Sequence, residues 1–359
     1  MVAPRVYEAL RQPIVGHLDP YFFTVVEDVR RLLGYAFSTA NEFNIAVSGT
    51  GTSGMETAVA NFVEPGEKFA VLANGYFCDR LADVARRHGA SVVRLEKPWG
   101  EVFDGQEARE FIRREKPRTV AYVQAETSTG AFQPGRAICE AAHEMDALII
   151  ADCVTSLGGM PVKVDETGID IAYSCTQKGL GCPPGLAPVT VSPRALDRLK
   201  SRKTPVQSWY LDLQLLDGYY RGHKYHHTAS ATLFYALREG LAIVAEEGIE
   251  ARWERHRRNH EAFVQGIEAM GLTMHVQNPA DRLWTLNTPR VPEGIDEPRL
   301  RQYLLEKRNI EIAGGFGPLA GKIFRIGVMG YGSTAENVAL ILEALSDALK
   351  QQGYRSAAA

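Results

Sequence analysis

The sequence has 359 residues, and a typical domain length of about 150 residues predicts two domains, which excludes a single small module. With 45% hydrophobic and 23% charged residues, the composition is that of a globular protein and excludes a fibre, a disordered tail and a disulfide scaffold. The 40 Lys and Arg against 43 Asp and Glu give a net charge of −3. We therefore expect a small ligand and no nucleic acid as partner.

The hydrophobic period between residues 22 and 200 switches repeatedly between helical and strand-like spacing, which predicts a β-α-β series. The predicted strands are residues 45–47, 69–73, 91–95, 119–123, 147–151, 170–174 and 187–191. The predicted helices are residues 22–33 and 54–62, one ending at 89, one ending at 114, and 136–145. This alternation is typical of an α/β domain whose mostly parallel sheet has helices on both faces.

The pattern changes after residue 205, where a Tyr- and His-rich loop is followed by long helices at 229–245 and up to 270. Strands at 283–286 and 323–326 and helices at 298–307 and 334–350 predict a smaller α+β layer. We predict an N-terminal arm (1–20), a large domain (21–247) and a small C-terminal domain (248–359).

No apolar run approaches the roughly 18 residues of a membrane helix, and residues 1–10 lack the apolar segment of a signal peptide. We expect a cytoplasmic protein that does not bind a membrane. The five cysteines form no Cys-x-x-Cys pair and lie mostly in apolar stretches, which predicts reduced, buried thiols.

Residues 49–54, Gly-Thr-Gly-Thr-Ser-Gly, match G-x-G-x-x-G between a predicted strand and helix. A dinucleotide site also needs an acidic residue after the next strand, where this chain has Asn74 and Gly75. The N–H groups of 51–54 and the hydroxyls of Thr50, Thr52 and Ser53 favour another phosphate site at a helix N-terminus. A glycine turn without a ligand is the alternative.

Lys178 follows the predicted strand 170–174 in a turn rich in Gly and Pro, with small or apolar neighbours. Because removal from water disfavours the charged form of an amine, this setting favours a lysine that forms a Schiff base over a solvated loop lysine. Asp152 follows the apolar strand 147–151, at the edge where open α/β sheets place their sites, although it could also cap a helix. A phosphate cradle, an amine and a carboxylate together predict pyridoxal phosphate, with the pyridinium N–H bound by Asp152.

From about residue 3 to 349, the chain resembles the class V, fold-type I pyridoxal-phosphate aminotransferases. Within this family it resembles the alanine–glyoxylate and serine–pyruvate branch. Eight motifs, which follow one another in order along the chain, carry the resemblance. The motifs are Ser48-Gly-Thr-Gly-Thr-Ser, Ala73-Asn-Gly, Glu126-Thr-Ser-Thr-Gly, Asp152-Cys-Val-Thr-Ser-Leu-Gly-Gly, Ser174-Cys-Thr-Gln-Lys, Pro183-Pro-Gly, Tyr225-His-His-Thr and Arg325-Ile-Gly. The resemblance implies a large domain with a mostly parallel seven-stranded sheet between helices, plus a smaller α+β domain.

The same resemblance implies roles for single residues. Lys178 would carry the Schiff base and move the α-proton, and Arg325, after a short strand at 322–324, would bind the substrate carboxylate through its planar fork. Tyr225 and Thr228 would reach the cofactor phosphate of a neighbouring subunit, which implies a homodimer with shared active sites. The other implied cofactor contacts are Thr50, Gly51, Thr52 and Gln177 at the phosphate, Phe77 stacked on the ring, and Thr127 and Val154 beside it.

Two groups of histidines have a spacing that also occurs among metal ligands. They are His223, His226 and His227, and His256 and His260. The first coincides with the Tyr225 motif, and the second lies on a charged helix that we predict to be solvated. We predict no metal site.

The implied activity is transfer of an amino group from alanine or serine to glyoxylate or pyruvate by a ping-pong mechanism through a Lys178 Schiff base. Related chemistries stay open: ureidoglycine–glyoxylate, aminoethylphosphonate or pyridoxamine–pyruvate transamination, or a lyase. A cysteine desulfurase is disfavoured because the last cysteine is Cys182, and a nicotinamide oxidoreductase or a non-enzymatic scaffold are more distant alternatives. The family usually opens with a Pro-Gly-Pro-type segment, so we expect either a longer native N-terminus or a missing substrate contact.

Overall fold

The computed structural model describes residues 1–355 and contains an α/β layer and a smaller α+β layer. The α-helices are α1 (Pro4–Leu10), α2 (Pro20–Phe37), α3 (Gly51–Phe62), α4 (Tyr76–Arg87), α5 (Gly105–Glu115), α6 (Arg136–Glu144), α7 (Val164–Thr167), α8 (Pro193–Lys200), α9 (Leu213–Tyr220), α10 (Ala231–Glu247), α11 (Ile249–Ala269), α12 (Glu297–Arg308) and α13 (Ala335–Gln351). The strands are β1 (Phe43–Ser48), β2 (Lys68–Ala73), β3 (Ser91–Glu96), β4 (Thr119–Val123), β5 (Ala125–Glu126), β6 (Ala131–Phe132), β7 (Leu148–Asp152), β8 (Ile171–Tyr173), β9 (Leu186–Val191), β10 (Leu286–Asn287), β11 (Ala313–Gly314) and β12 (Phe324–Gly327).

The main sheet has seven strands in the order β1-β9-β8-β7-β4-β2-β3. Strands β3, β2, β4, β7 and β8 pair in parallel, and β9 runs antiparallel to both β8 and β1. The predicted fold, a mostly parallel seven-stranded sheet with helices around it, is confirmed.

The parallel strands bring their carboxyl ends to one edge of the sheet. Val123 at the end of β4 pairs with Asp152 at the end of β7, and Asp152 pairs with Tyr173 at the end of β8. Because β9 reverses direction between β8 and β1, the carboxyl end of β1 lies at this edge too. The glycine loop after β1, Asp152, and the segment with Lys178 after β8 are therefore placed together, as expected for a site in an open α/β sheet.

Two large apolar clusters hold the two layers, and a third, small one contains Ala125, Met160, Leu283 and Leu286. The larger one contains the sheet and its covering helices and extends along the chain from Ala3 to Trp253. The smaller of the two large clusters lies among α11, α12, α13 and the β10-β12-β11 sheet, from Phe263 to Leu349. Helix α11 contributes to both clusters. The predicted division into 1–20, 21–247 and 248–359 stays a prediction, and its last four residues lie outside the described part.

Several elements differ from the sequence predictions. Helix α9 lies inside the predicted Tyr- and His-rich loop, where Asp212 accepts a hydrogen bond from the Gln214 N–H and begins the helix. The strand predicted at 283–286 is shorter and shifted, at Leu286–Asn287. The β5–β6 hairpin, α1 and α8 were not predicted.

The structure also bears on the predicted burial of the cysteines and on the search for membrane-spanning helices. All five cysteines lie within the described residues and are buried and free, as predicted. No helix among residues 1–355 is long and apolar enough to cross a membrane.

Candidate active site

A cavity of about 190 Å³ lies at the carboxyl edge of the main sheet. Nine of the twelve predicted site residues line it: Thr50, Gly51, Thr52, Phe77, Thr127, Asp152, Val154, Gln177 and Lys178. Its remaining lining residues are Met55, Arg80 and Ala125. Tyr225, Thr228 and Arg325 lie outside this wall.

The glycine loop turns directly into α3. Thr50 has extended backbone and is the N-cap of α3, but its side chain makes no capping bond. The N–H groups of Ser53 and Gly54 donate to the Thr50 carbonyl, which leaves those of Gly51 and Thr52 open to a ligand among the described residues. Gly49 has φ of +130°, which favours glycine, and its N–H donates to the Gly185 carbonyl at 2.8 Å. This bond joins the glycine loop to the loop that follows Lys178.

Asp152 is 2% exposed and its carboxylate accepts two hydrogen bonds. The Val154 N–H donates to Oδ1 at 2.9 Å, and the Tyr173 hydroxyl donates to Oδ2 at 2.8 Å. Burial nevertheless raises the pKa of Asp152 to about 7. Asp152 begins a turn and not a helix, so the helix-cap alternative is wrong, and a buried carboxylate with a raised pKa is typical of a functional site.

Glu126 is a second buried carboxylate, and its place in the Glu126-Thr-Ser-Thr-Gly motif predicted no role for it. Its Oε2 accepts hydrogen bonds from the backbone N–H of Phe77 and of Cys78, at 3.1 and 3.3 Å, in the first turn of α4. Its Oε1 accepts from the Ser128 N–H and hydroxyl. Burial raises the pKa of Glu126. This carboxylate therefore fixes the start of the helix that carries Phe77.

Lys178 is half-buried in the turn after β8, and its carbonyl accepts from the Gly181 N–H at 3.0 Å. The next carbonyl, of Gly179, accepts from Nη2 of Arg252 at 2.8 Å, and Nε of Arg252 donates to the Gly158 carbonyl at 2.8 Å. Arg252 is buried and paired with Glu247. It thereby joins the turn that carries Lys178 to the turn after Asp152.

Arg325 lies inside β12 and not at the end of a strand, so that detail of the prediction is wrong. Its Nε donates to the Gly314 carbonyl at 2.6 Å, and Nη1 lies 3.5 Å from the Thr127 carbonyl. Thr127 lines the cavity, so the small layer places this guanidinium at the cavity margin. Burial lowers the pKa of Arg325, but the group stays cationic.

Tyr225 and Thr228 lie on the segment between α9 and α10 and are both exposed, Tyr225 to 64%. Neither lines the cavity of its own chain. His227 in the same segment lies with Nε2 2.9 Å from the Ser48 hydroxyl, at the end of β1.

The prediction that His256 and His260 lie on a solvated helix face is wrong, because they are 0% and 5% exposed. Nδ1 of His256 donates to the Arg252 carbonyl at 2.7 Å, and its Nε2 accepts from the Gly330 N–H at 2.9 Å. Burial lowers the pKa of His256 to about 3. Both ring nitrogens of His256 are thus hydrogen-bonded to backbone groups. The charged sequence of α11 gave no sign that this face of the helix packs against the turn after Asp152.

Arg80, Met55 and Ala125 were missed as cavity residues. Met55 and Ala125 carry no reactive group that would single them out in the sequence, and Arg80 lies in an amphipathic helix with two other arginines, Arg86 and Arg87. A helical count from Phe77 would have found Arg80, since residues three apart share a helix face.

The chain is similar in sequence and in structure to known aminotransferases. The sequence profile of the family described as aminotransferase class-V matches residues 7–338. The (S)-ureidoglycine–glyoxylate transaminase of Bacillus subtilis (strain 168) is 40% identical over 367 residues, covering 97% of this chain and 88% of that protein. The alanine–glyoxylate aminotransferase of Callithrix jacchus is 39% identical over 354 residues, covering 97% and 85%. A solved alanine–glyoxylate aminotransferase from Nostoc sp. superposes with a TM-score of 0.95 at 46% identity, covering 97% and 92%.

Proposed function

This chain belongs to the class V aminotransferases, as its motifs indicate, and from this premise we propose that it transfers an amino group from alanine or serine to glyoxylate or pyruvate. The observation that carries the proposal is that Lys178 and Asp152 line one cavity, with the Arg325 guanidinium at its margin. All three relatives compared above have glyoxylate in their names, which supports that acceptor.

The family implies pyridoxal phosphate, and two features of the cavity fit this cofactor. Oε1 of Gln177, a cavity residue, is buried without a hydrogen-bond partner among the described residues, which a polar ligand would supply. Gly51 lets the start of α3 pack closely on the cavity residue Val154, since a Cβ at this position would lie 2.9 Å from Val154 Cγ2. An unpaired amide and a helix N-terminus that begins with glycine are features of a phosphate site.

We assign the cofactor contacts accordingly. Asp152 would bind the ring N–H, which its buried, acceptor-only carboxylate suits. Phe77 would contact the ring face. The phosphate would be held by Thr50, Gly51, Thr52 and Gln177, with Thr127 and Val154 beside the ring.

When bound, pyridoxal phosphate supplies an aldehyde that condenses with amines and a ring that withdraws electrons from the substrate Cα. Lys178 would hold the cofactor aldehyde through Nζ, and its free amine would take the proton from Cα of the bound donor. Arg325 binds the donor carboxylate through its fork and so orients Cα toward Nζ. Water would supply the oxygen of the 2-oxo acid product, and the amino group would stay on the cofactor. Lys178 and Arg325 would then act on the acceptor 2-oxo acid in the reverse direction.

We further propose a homodimer in which Tyr225 and Thr228 complete the partner subunit's phosphate site. Their exposure and their absence from the cavity of their own chain support this assignment. Mixed dimers of Lys178→Ala and Tyr225→Ala/Thr228→Ala subunits test it. Regained activity relative to either parent supports shared sites, and no gain in confirmed mixed dimers contradicts them.

Borohydride reduction of the holoenzyme tests the central assignment. It should fix the cofactor onto the peptide that contains Lys178, as located by mass spectrometry, and Lys178→Ala should abolish transamination. Lys203→Ala, at an exposed loop lysine, is the matched control and should keep full activity. Full turnover by Lys178→Ala would overturn the proposal.

The second candidate function is ureidoglycine–glyoxylate transamination. It is favoured by the 40% identity of this chain to the Bacillus subtilis protein, since the identity to the alanine–glyoxylate enzyme of Callithrix jacchus is almost the same, at 39%. Half-reactions with alanine, serine and (S)-ureidoglycine separate the two. The donor with the largest kcat/KM identifies the activity, and glyoxylate against pyruvate in the second half-reaction identifies the acceptor.

A further inference from the structure

Arg80 is a cavity residue for which the assignments above give no role. It lies on α4, one turn after Phe77, and is half-buried. Its Nη1 donates to Oγ1 of Thr52 at 3.1 Å. Because Thr52 is in the first turn of α3, this bond places the guanidinium at the N-terminal end of α3, where the phosphate is assigned.

Arg80 forms no ion pair with residues 1–355, although its charge acts to lower the pKa of Asp152 on the same cavity wall. Its guanidinium carbon lies 5.2 Å from the centroid of the Tyr76 ring and 4.9 Å from that of Phe77. Among residues 1–355 its contacts are thus one hydroxyl and two rings, with no ion pair to a carboxylate. Arg94, which also packs beside α4, is by contrast paired with Asp79 and Glu96.

The charges of the cavity wall show what Arg80 would balance. The wall contains three ionisable side chains, Asp152, Lys178 and Arg80, and the first two are assigned to the ring nitrogen and the aldehyde. A phosphate monoester carries a charge of about −1.5 to −2 at neutral pH. The assigned phosphate contacts Thr50, Thr52 and Gln177 are neutral, and a helix N-terminus supplies only about half a positive charge.

We propose that Arg80 is the cationic binding partner of the cofactor phosphate, an inference that rests on the proposed function. The guanidinium fork matches phosphate oxygens, and the rings of Tyr76 and Phe77 hold its plane in place. Its bond to Thr52 keeps it directed toward the N-terminus of α3 before the phosphate arrives.

The test compares cofactors with and without the phosphate on the full-length protein. Apoprotein is titrated with pyridoxal phosphate and with pyridoxal, and dissociation constants are measured by quenching of protein fluorescence. Arg80→Gln should weaken pyridoxal phosphate about ten- to hundredfold and change pyridoxal less than about twofold, because only the phosphate loses a charged partner. Arg80→Lys should fall between wild type and Arg80→Gln.

Arg86→Gln is the matched control, because it removes the same charge from an exposed position of the same helix and should leave both constants unchanged. Arg80→Met keeps an unbranched apolar side chain beside the two rings and replaces Arg80→Gln if that variant fails to fold. Wild-type affinity for pyridoxal phosphate in Arg80→Gln, or an equal loss for both ligands, would overturn the inference alone. Failure of the wild-type protein to bind pyridoxal phosphate would overturn the proposed function as well.

Discussion

The guanidinium carbon of Arg325 lies 3.8 Å from the centroid of the Phe316 ring. Phe316 in turn packs against Tyr76, with ring centroids 4.9 Å apart, so an aromatic contact connects the small layer to the start of α4. The ring covers one face of the guanidinium, while the Gly314 carbonyl fixes its Nε. Phe316 therefore restricts where Arg325 can present its remaining N–H groups to a carboxylate.

Phe316→Ala should raise the KM for the amino donor about three- to thirtyfold and change kcat less, since a cation–π contact contributes about 0.5–2 kcal/mol to holding the guanidinium. Steady-state kinetics with saturating acceptor measure both constants. Phe316→Tyr keeps the ring face and should behave as wild type. A fall in kcat at unchanged KM would contradict this positioning role.

Asp152→Asn should lower kcat/KM about ten- to hundredfold, because a neutral amide replaces the charged acceptor assigned to the ring N–H. The Val154 N–H can still donate to the amide oxygen, and the amide NH2 can donate to the Tyr173 hydroxyl oxygen, so the circular dichroism spectrum should not change. Asp83→Asn, at an exposed aspartate of α4, is the control. Wild-type kinetics of Asp152→Asn would show that this carboxylate has no part in the reaction.

Gly51→Ala should destabilise the protein by about 1–3 kcal/mol and weaken cofactor binding. The added Cβ would lie 2.9 Å from Val154 Cγ2 and 3.4 Å from Cys175 Cβ, and neither neighbour has a flexible end that could move away. Urea unfolding and pyridoxal phosphate titration measure the two effects. Gly218→Ala, where a Cβ meets open space in α9, should leave both unchanged or raise stability slightly.

The buried His256 should make the protein sensitive to acid. Its pKa is lowered to about 3 from an unfolded value of 6.5, so between these values the unfolded state binds the proton first and stability falls as pH falls. From pH 6.5 to 5 this one group costs about 2 kcal/mol.

His256→Gln should show a shallower pH dependence of the unfolding free energy over that interval, although it is less stable at pH 7. Urea titrations of both apoproteins at pH 7, 6 and 5 measure the difference. Parallel curves would mean that the pKa of His256 is the same in the folded and unfolded states.

Apolar runs and strand ends determined much of this protein from sequence alone. The strand predicted at 119–123 is β4, and the predictions for β2 and β7 are within a residue at each end, because a strand buried on both faces is a continuous apolar run. Asp152 and Lys178 could be placed at one sheet edge because consecutive parallel strands share that edge. The glycine loop could be predicted because glycine tolerates the tight backbone of such a turn and, having no side chain, leaves backbone N–H groups accessible to a ligand.

Only the tertiary structure decided which charged side chains are withdrawn from water. Arg252 and His256 lie in a run of charges that resembles a solvated helix, yet they contact the turns after Asp152 and Lys178. Arg80 and Glu126 gain their positions from segments distant in sequence, through Thr52 and the start of α4. The periodicity of the sequence indicates on which side of a helix or strand a residue lies. Which other element packs against that side depends on the tertiary structure, and the local sequence does not encode it.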